Sequence, residues 1–370
     1  ESNMGAGADE RSLDLSTDRL VDFNLRRRAM MSEFLIPKDG LRPAPEVPQP
    51  NIFPMEWRTD TPKLAEIYER AKREGFNPAL INWNGLQPES YSDDEKVAIM
   101  YWWALLSNFD SSGPAVFARA MIRAWESHAE SPVRRCFFSI TRDEQNHEEC
   151  CERVIMKLVP DGPLGFAPKS ELQRVALNNI GWLYHNGGRY WSGYNRAVDK
   201  YPLSILFTSF MLGEVASSTL FHGMSHGTNH PVFREIFTNI GRDEARHLQI
   251  CMTLLEKSWP GLTDEDRMFV TKQLRAGFVF LSMVLWEPPG QFWDLPDYFL
   301  HNHRILLRVA REAGLGVLTF DQQADNWRLA IARVRKIVEK WGIAFPAIPE
   351  LDIDGVDVGD ITADDIIPVF

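Results

Sequence analysis

A six-residue phrase occurs twice in this chain, and it is the feature that most constrains the fold. Residues 142–147 read RDEQNH, and residues 242–247, one hundred positions later, read RDEARH. In each copy a glutamate and a histidine are three residues apart, so on an α-helix both side chains leave from the same face. Two such helices packed side by side would direct two glutamates and two histidines toward one point. The repeat therefore predicts helices arranged around a site for two metal ions.

The helix that precedes each phrase extends the repeat. Asp110 is followed seven residues later by Phe117, and Glu214 is followed in the same way by Phe221. Both carboxylates lie in mostly apolar or small-residue stretches, where a charge requires a partner or a metal ion. Each half of the chain then supplies one carboxylate helix and one Glu-x-x-His helix, which is the pattern of a four-helix metal-binding bundle.

Apolar periodicity and capping signals predict an all-α chain. Pro114 predicts a kink or break within the second of the expected helices, because proline cannot donate the usual hydrogen bond. The Gly187-Gly188 pair predicts a separation between the fourth and fifth. No series of alternating strands is evident. The expected helices span residues 61–74, 92–125, 133–158, 171–185, 190–198, 202–226, 232–257, 263–286, 296–313 and 321–341.

Three regions are expected along the chain. Residues 1–91 would form an N-terminal tail and arm with one short helix, because residues 37–62 hold seven prolines. Residues 92–286 would form the metal-binding bundle. Residues 287–370 would supply C-terminal helices and an acidic tail packed on the same domain.

Composition narrows the function classes. The formal net charge of −11 argues against nucleic-acid binding, which requires a basic surface. Four cysteines do not form a disulfide framework of the secreted type. No basic-then-apolar leader is evident, and no apolar run approaches the ~18 residues that span a bilayer. We therefore expect a soluble, cytoplasmic protein with no membrane or nucleic-acid partner.

The doubled phrase resembles the ferritin-like di-iron carboxylate superfamily, and residues 239–247, NIGRDEARH, are especially similar to motifs of its oxygenase branch. That branch includes arylamine N-oxygenases, acyl-carrier-protein desaturases and related di-iron monooxygenases. The resemblance covers about residues 92–258. It implies a ferritin-like four-helix bundle, here with additional peripheral helices and an extended N-terminal arm.

The resemblance also implies roles for individual residues. Glu144 and Glu244 would bridge the two metal ions and carry the catalytic function. Most oxygenase relatives have glutamate where this chain has Asp110. The six implied metal ligands are Asp110, Glu144, His147, Glu214, Glu244 and His247.

The resemblance also implies that two aspartates hold the ligand histidines by hydrogen bonds. Asp143 would accept a hydrogen bond from His247, and Asp243 would accept one from His147, which fixes each imidazole ring. The sequence leaves open whether Arg142, Arg242 and Arg246 complete this support or lie on the surface.

The donor set and the resemblance together indicate the cofactor and the reaction. Carboxylates with one imidazole per metal suit iron or manganese better than zinc. We expect two iron ions, with a Mn–Fe pair as the alternative, and dioxygen as co-substrate. The enzyme would hydroxylate, desaturate or N-oxygenate a small-molecule or carrier-tethered organic substrate. A ferredoxin or flavin reductase would supply electrons, and a homodimer is the usual state in the family.

Side chains adjacent to the implied ligands are candidates for the substrate pocket, namely Phe117, Phe138, Ser217, Phe221, His222 and Phe237. Two other functions stay open. One is a radical-generating subunit like that of ribonucleotide reductase, although Cys151 occupies the position of its radical tyrosine. The other is a ferroxidase or iron-binding protein, although ferritins do this in about half the length.

Overall fold

The computed structural model describes residues 59–285 and 295–361, and these residues are helical with no β-strand. The all-α prediction is confirmed for these ranges. The predicted tail and nearly all of the predicted arm lie outside the described residues. The helices are α1 (Pro62–Glu74), α2 (Asp93–Asp110), α3 (Ser112–Glu126), α4 (Ser131–Leu158), α5 (Gly162–Gly165), α6 (Glu171–Lys200), α7 (Leu203–Gly227), α8 (Pro231–Ser258), α9 (Asp264–Leu285), α10 (Tyr298–Glu312) and α11 (Phe320–Val338).

Five of these helices form the central bundle, because α2 and α3 are separate helices divided at residue 111. α2 and α3 pack along α4, and α7 packs along α8 over most of its length. The two groups meet where α4 contacts α8 and where α3 contacts α7. The remaining long helices surround this core: α1 lies on α4 and α8, α6 and α10 lie on α2, and α9 and α11 lie on α7. This is the predicted ferritin-like bundle with peripheral helices.

The predicted break near Pro114 is present. α2 ends at Asp110, and α3 begins at Ser112 after a single intervening residue. Pro114 thus lies in the first turn of α3, where a backbone N–H has no partner within the helix and its loss costs little. The break places Asp110 at the end of a helix rather than in the middle of one.

The predicted separation at Gly187-Gly188 is wrong, because α6 runs without interruption from Glu171 to Lys200. Glycine inside a helix costs about 1 kcal/mol relative to alanine, and here close packing accounts for it. A Cβ atom on Gly187 would lie 2.5 Å from Oδ1 of Asn108 on α2. The glycine therefore permits the close approach of two helices and does not end one.

By length and composition, α7 could cross a membrane, contrary to the expectation that no segment could. Its most apolar 18-residue window has a mean hydropathy of 1.4, and 67% of that window is buried inside the protein. A helix at the centre of a bundle meets the same criterion as a membrane span. α7 is such a helix, and Glu214 lies in its interior.

Candidate metal centre

The glutamate and the histidine of each copy of the phrase come together at one place in the bundle. α4 carries Glu144 and His147, and α8 carries Glu244 and His247. All four are buried, with no more than 6% of any residue exposed. The two imidazole rings face each other across the bundle with centroids 6.0 Å apart. The three-residue spacing thus places one glutamate and one histidine from each helix in the same interior volume.

The two upstream carboxylates reach the same volume. Asp110 is the last residue of α2, Glu214 lies within α7, and both are buried. Glu214, Glu144, Glu244 and His247 each present a ligand atom within 4.8 Å of the other three, so this group is able to hold a metal ion. Asp110 lies beside them and lines the same cavity as Glu144 and Glu214.

Both histidines turn Nδ1 toward the carboxylates. His247 Nδ1 is 3.2 Å from Glu144 Oε1 and 3.4 Å from Glu214 Oε2. His147 Nδ1 is 3.2 Å from Glu244 Oε1. In a neutral imidazole only one nitrogen carries a proton, so a proton held on Nε2 would leave the Nδ1 lone pair for a metal ion.

The outward Nε2 atoms face the two aspartates in the crossed arrangement that the resemblance implies. His247 Nε2 lies 3.3 Å from Asp143 Oδ2, and His147 Nε2 lies 3.5 Å from Asp243 Oδ2. Each aspartate belongs to the half opposite to that of its histidine. The His247–Asp143 pair is a hydrogen bond that links the two halves, whereas His147 Nε2 and Asp243 Oδ2 face each other without forming one.

Unpaired buried atoms show that this donor set fits a cation. Among the described residues, His147 Nδ1, His247 Nδ1, Glu214 Oε2 and Glu244 Oε2 are buried without a hydrogen-bond partner. A buried polar atom without a partner costs about 1–3 kcal/mol. Four that face one another would be stabilised together by a bound metal ion, and oxygen-rich ligands with one imidazole per metal suit iron or manganese.

The shifted pKa values of these groups also indicate that the site suits divalent cations. Burial, and then repulsion by Glu144, raises the pKa of Asp110 well above its usual value. Burial, and then repulsion by Glu244, raises the pKa of Glu214 in the same way. Burial lowers the pKa of both motif histidines, but the facing carboxylates outweigh it and hold each pKa well above its usual value. Without metal ions, protons bound to these groups thus offset the negative charge of the site. Divalent cations would neutralise the same charge, so metal binding would release the protons.

One arginine connects the two supporting aspartates. The Arg246 side chain is 2% exposed, and its Nη2 donates to Asp143 Oδ2 at 2.9 Å and to Asp243 Oδ1 at 2.6 Å. Arg142 Nε also donates to Asp143, at 2.9 Å, whereas the exposed Arg242 donates to Asn239. The spacing of three residues between Arg246 and Asp243 was the signal in the sequence for this contact.

A cavity of about 80 Å³ adjoins the carboxylates. Asp110, Glu144 and Glu214 form one side, and mostly apolar side chains of α3, α7 and α9 form the rest. Three of the predicted pocket residues, Phe117, Ser217 and Phe221, line it.

The other three predicted pocket residues lie elsewhere. Phe138 is 54% exposed on the outer face of α4. Its neighbour Phe137, two helical turns before Glu144, is fully buried on the inner face and packs against Phe117 and Phe210, which line the cavity. His222 is exposed near the end of α7. Phe237 is buried against Trp103, with the rings stacked 5.5 Å apart, and does not reach the cavity.

Comparisons with known proteins give structural matches only. No family model and no curated protein matches the sequence. Among solved structures, the chain is similar to a glycine-to-phenylalanine variant of an R2-like ligand-binding oxidase with an aerobically reconstituted Mn/Fe cofactor, at 14% identity and a TM-score of 0.47 over 77% of this chain and 98% of that one. A valine-to-isoleucine variant with the same cofactor matches at 13% identity and a TM-score of 0.47, over 75% and 94%.

Proposed function

We propose that this chain is a non-haem di-iron enzyme that uses dioxygen to oxidise a small organic substrate, with a Mn–Fe pair as the alternative cofactor. The observation that supports it most directly is the set of unpaired Nδ1 and carboxylate atoms that converge in the bundle interior beside an apolar cavity. A structural bundle would gain stability by replacing these groups with apolar side chains, because burying charged groups is costly even when they face opposite charges. Their presence favours a metal-dependent function.

The geometry supports distinct ligand roles. Glu144 lies near both histidines, 3.7 Å from His147 Nδ1 and 3.2 Å from His247 Nδ1. Glu244 does the same, at 3.2 Å and 3.7 Å. This position between the two imidazoles supports Glu144 and Glu244 as the residues that would hold both metal ions. In this proposal Asp110 and Glu214 are the terminal ligands.

When bound, the metal pair would supply the electrons that reduce dioxygen. The protein's own contribution is to hold and shield that centre. Asp143 holds His247 Nε2 by a hydrogen bond, Asp243 faces His147 Nε2, and Arg246 donates hydrogen bonds to both aspartates. Because the carboxylate ligands are buried, bulk water does not reach them. The cavity beside them would position the substrate group that is oxidised.

The substrate and partners belong to the proposal as well. Hydroxylation and N-oxygenation place one oxygen atom in the product and reduce the other to water, whereas desaturation reduces both atoms to water. Each of these reactions needs two further electrons per dioxygen. An external ferredoxin or flavin reductase would supply them. We also propose that the enzyme is a cytoplasmic homodimer and acts on a small-molecule or carrier-tethered substrate.

Oxygen consumption tests the proposed function. The full chain, loaded anaerobically with Fe(II), is mixed with oxygenated buffer and a chemical reductant, and dioxygen uptake is followed. We expect sustained uptake that Glu144→Ala abolishes and that Gln145→Ala, at the exposed neighbouring position, retains. Uptake that stops once added Fe(II) is consumed, with ferric iron accumulating in the protein, would instead identify a ferroxidase. No uptake with iron bound would refute the proposal.

A further inference from the structure

A second, larger pocket lies at the end of the bundle where α3 and α8 end and α4 and α7 begin. It has a volume of about 580 Å³ and is open to the surface. We call it the outer pocket, and we call the cavity of about 80 Å³ beside the carboxylates the inner cavity. Its lining residues include Arg123, Glu130, Ser204, Phe207 and Lys257.

Four phenylalanine rings lie between the two spaces. Phe207 lines the outer pocket, and Phe117 and Phe210 line the inner cavity. Phe137 contacts all three, with its ring centroid 6.3 Å from Phe117, 6.3 Å from Phe207 and 6.2 Å from Phe210. The phenylalanine layer formed by these rings is therefore shared by both spaces.

Displacing these rings would break no hydrogen bond. Its rings come from three helices, and ring contacts of this kind are worth only about 0.5–1.5 kcal/mol beyond their buried area. Phenylalanine side chains change position by rotation about two bonds, without loss of a hydrogen bond. Phe207 is 7% exposed at the floor of the outer pocket, so it is the ring that a ligand would meet first.

The two spaces differ in chemistry. Apart from its carboxylates and two serines, the inner cavity is lined by apolar side chains and glycines, and no lysine, arginine or histidine is among its described lining residues. An engineered cavity of about 150 Å³ binds benzene, so this one would hold a group of about three or four carbon atoms. The outer pocket instead carries Arg123, Glu130 and Lys257. Lys257 Nζ donates to Glu130 and, at 2.7 Å, to Thr61 Oγ1.

We propose that the outer pocket binds the polar portion of the substrate, and that the phenylalanine layer is the passage through which an uncharged, apolar end enters the inner cavity. The substrate class is thus an amphiphile with a short apolar reactive end and a larger polar portion. This inference rests on the proposed function, because it takes the inner cavity as the place of oxidation.

The passage can be tested with a tethered apolar arm. Ser204 lies on α7 six residues before Phe210, about 9 Å along the helix axis. All four native cysteines are buried, so Ser204→Cys provides the one accessible thiol in the described part of the chain. Its thiolate displaces methanesulfinate from a methyl or octyl methanethiosulfonate and leaves a mixed disulfide that carries the arm.

Thermal unfolding of the full-length adducts, both metal-free and anaerobically loaded with Fe(II), is then measured. We expect the octyl adduct to melt about 2–4 °C above the methyl adduct, because the end of its arm buries several methylene groups in the inner cavity. Ser217→Leu, which fills that cavity, should remove the difference, and Ser217→Val should reduce it.

Two results would overturn the inference. One is an octyl adduct that melts at the same temperature as the methyl adduct. The other is a difference that persists in both Ser217 variants, because the arm would then lie outside the inner cavity. Failure of the proposed function would give a different result. If the chain binds no iron but its metal-free adducts show the expected differences, the passage is supported and the oxidase function is refuted.

Discussion

The two halves of the metal centre contain the same sequence phrase but differ in how well the backbone positions their ligands. In the second half, Glu214 lies inside an unbroken helix and belongs to the compact group with Glu244 and His247. In the first half, Asp110 ends a helix, has a shorter side chain and lies outside that group. The repeated motif thus determines the ligand types, whereas the surrounding backbone determines how well each metal position is organised before a metal ion binds.

Removing each terminal carboxylate should produce the largest difference between the halves. We predict that Glu214→Ala lowers affinity for the first Fe(II) ion by about 100-fold or more, because it removes a member of the compact group. Asp110→Ala should preserve that first binding event and weaken only the second. Anaerobic Fe(II) titration measures both affinities, and equal losses in the two variants would remove the proposed asymmetry.

The supporting residues also differ between the halves. Arg246 contacts both aspartates, whereas the corresponding residue of the first phrase, Asn146, donates to the Phe76 carbonyl at 3.0 Å. We predict that Arg246→Met lowers the free energy of unfolding by about 3–5 kcal/mol, because two buried carboxylates lose a shared cation. Asn146→Ala should cost about 1 kcal/mol. Denaturant unfolding at pH 7 compares them, and equal losses would contradict a special role for Arg246.

A buried neutral histidine anchors the helix that carries Asp110, away from the metal centre. Tyr101 on α2 lies 2.8 Å from His303 Nδ1, and burial lowers the pKa of His303 to about 4. The unfolded chain binds this proton near pH 6.5, so the contribution is complete above pH 6.5 and is lost as pH falls toward 4. We predict a loss of about 3 kcal/mol across that window.

Comparison with His303→Gln isolates this contribution, because the carboxylates titrate in both proteins. The free energy of unfolding of the variant should fall less steeply between pH 6.5 and 4. Parallel curves for the two proteins would show that His303 is not held neutral in the folded state.

Two glycines beside the carboxylates provide the mildest test of the asymmetry. A Cβ atom on Gly113 would lie 2.6 Å from Glu144 Oε2, whereas one on Gly213 would meet nothing within 4 Å. Gly113→Ala should therefore displace the Glu144 carboxylate and weaken Fe(II) binding by about tenfold. Gly213→Ala should leave affinity unchanged and stabilise α7 by up to about 1 kcal/mol. Equal affinities of the two variants would mean that Glu144 tolerates the added methyl group.

Local spacing explains what the sequence could predict. The Glu-x-x-His pattern and the upstream carboxylates identified the side chains that meet in the bundle, because helical periodicity is contained in a few neighbouring residues. Packing between distant segments was harder to foresee. The uninterrupted α6 depends on Asn108 approaching Gly187, and the contact between Arg246 and Asp143 depends on how α4 meets α8. Phe138 was predicted in the pocket from its closeness in sequence to Glu144, but it lies on the exposed outer face of α4.

Anaerobic Fe(II) titration of the full chain asks whether the six buried side chains form one site for two metal ions. We expect saturation at about two ions per chain, with both lost in a Glu144→Ala and Glu244→Ala double variant because each glutamate serves both positions. Saturation below one ion per chain, or unchanged binding in the double variant, would contradict this expectation.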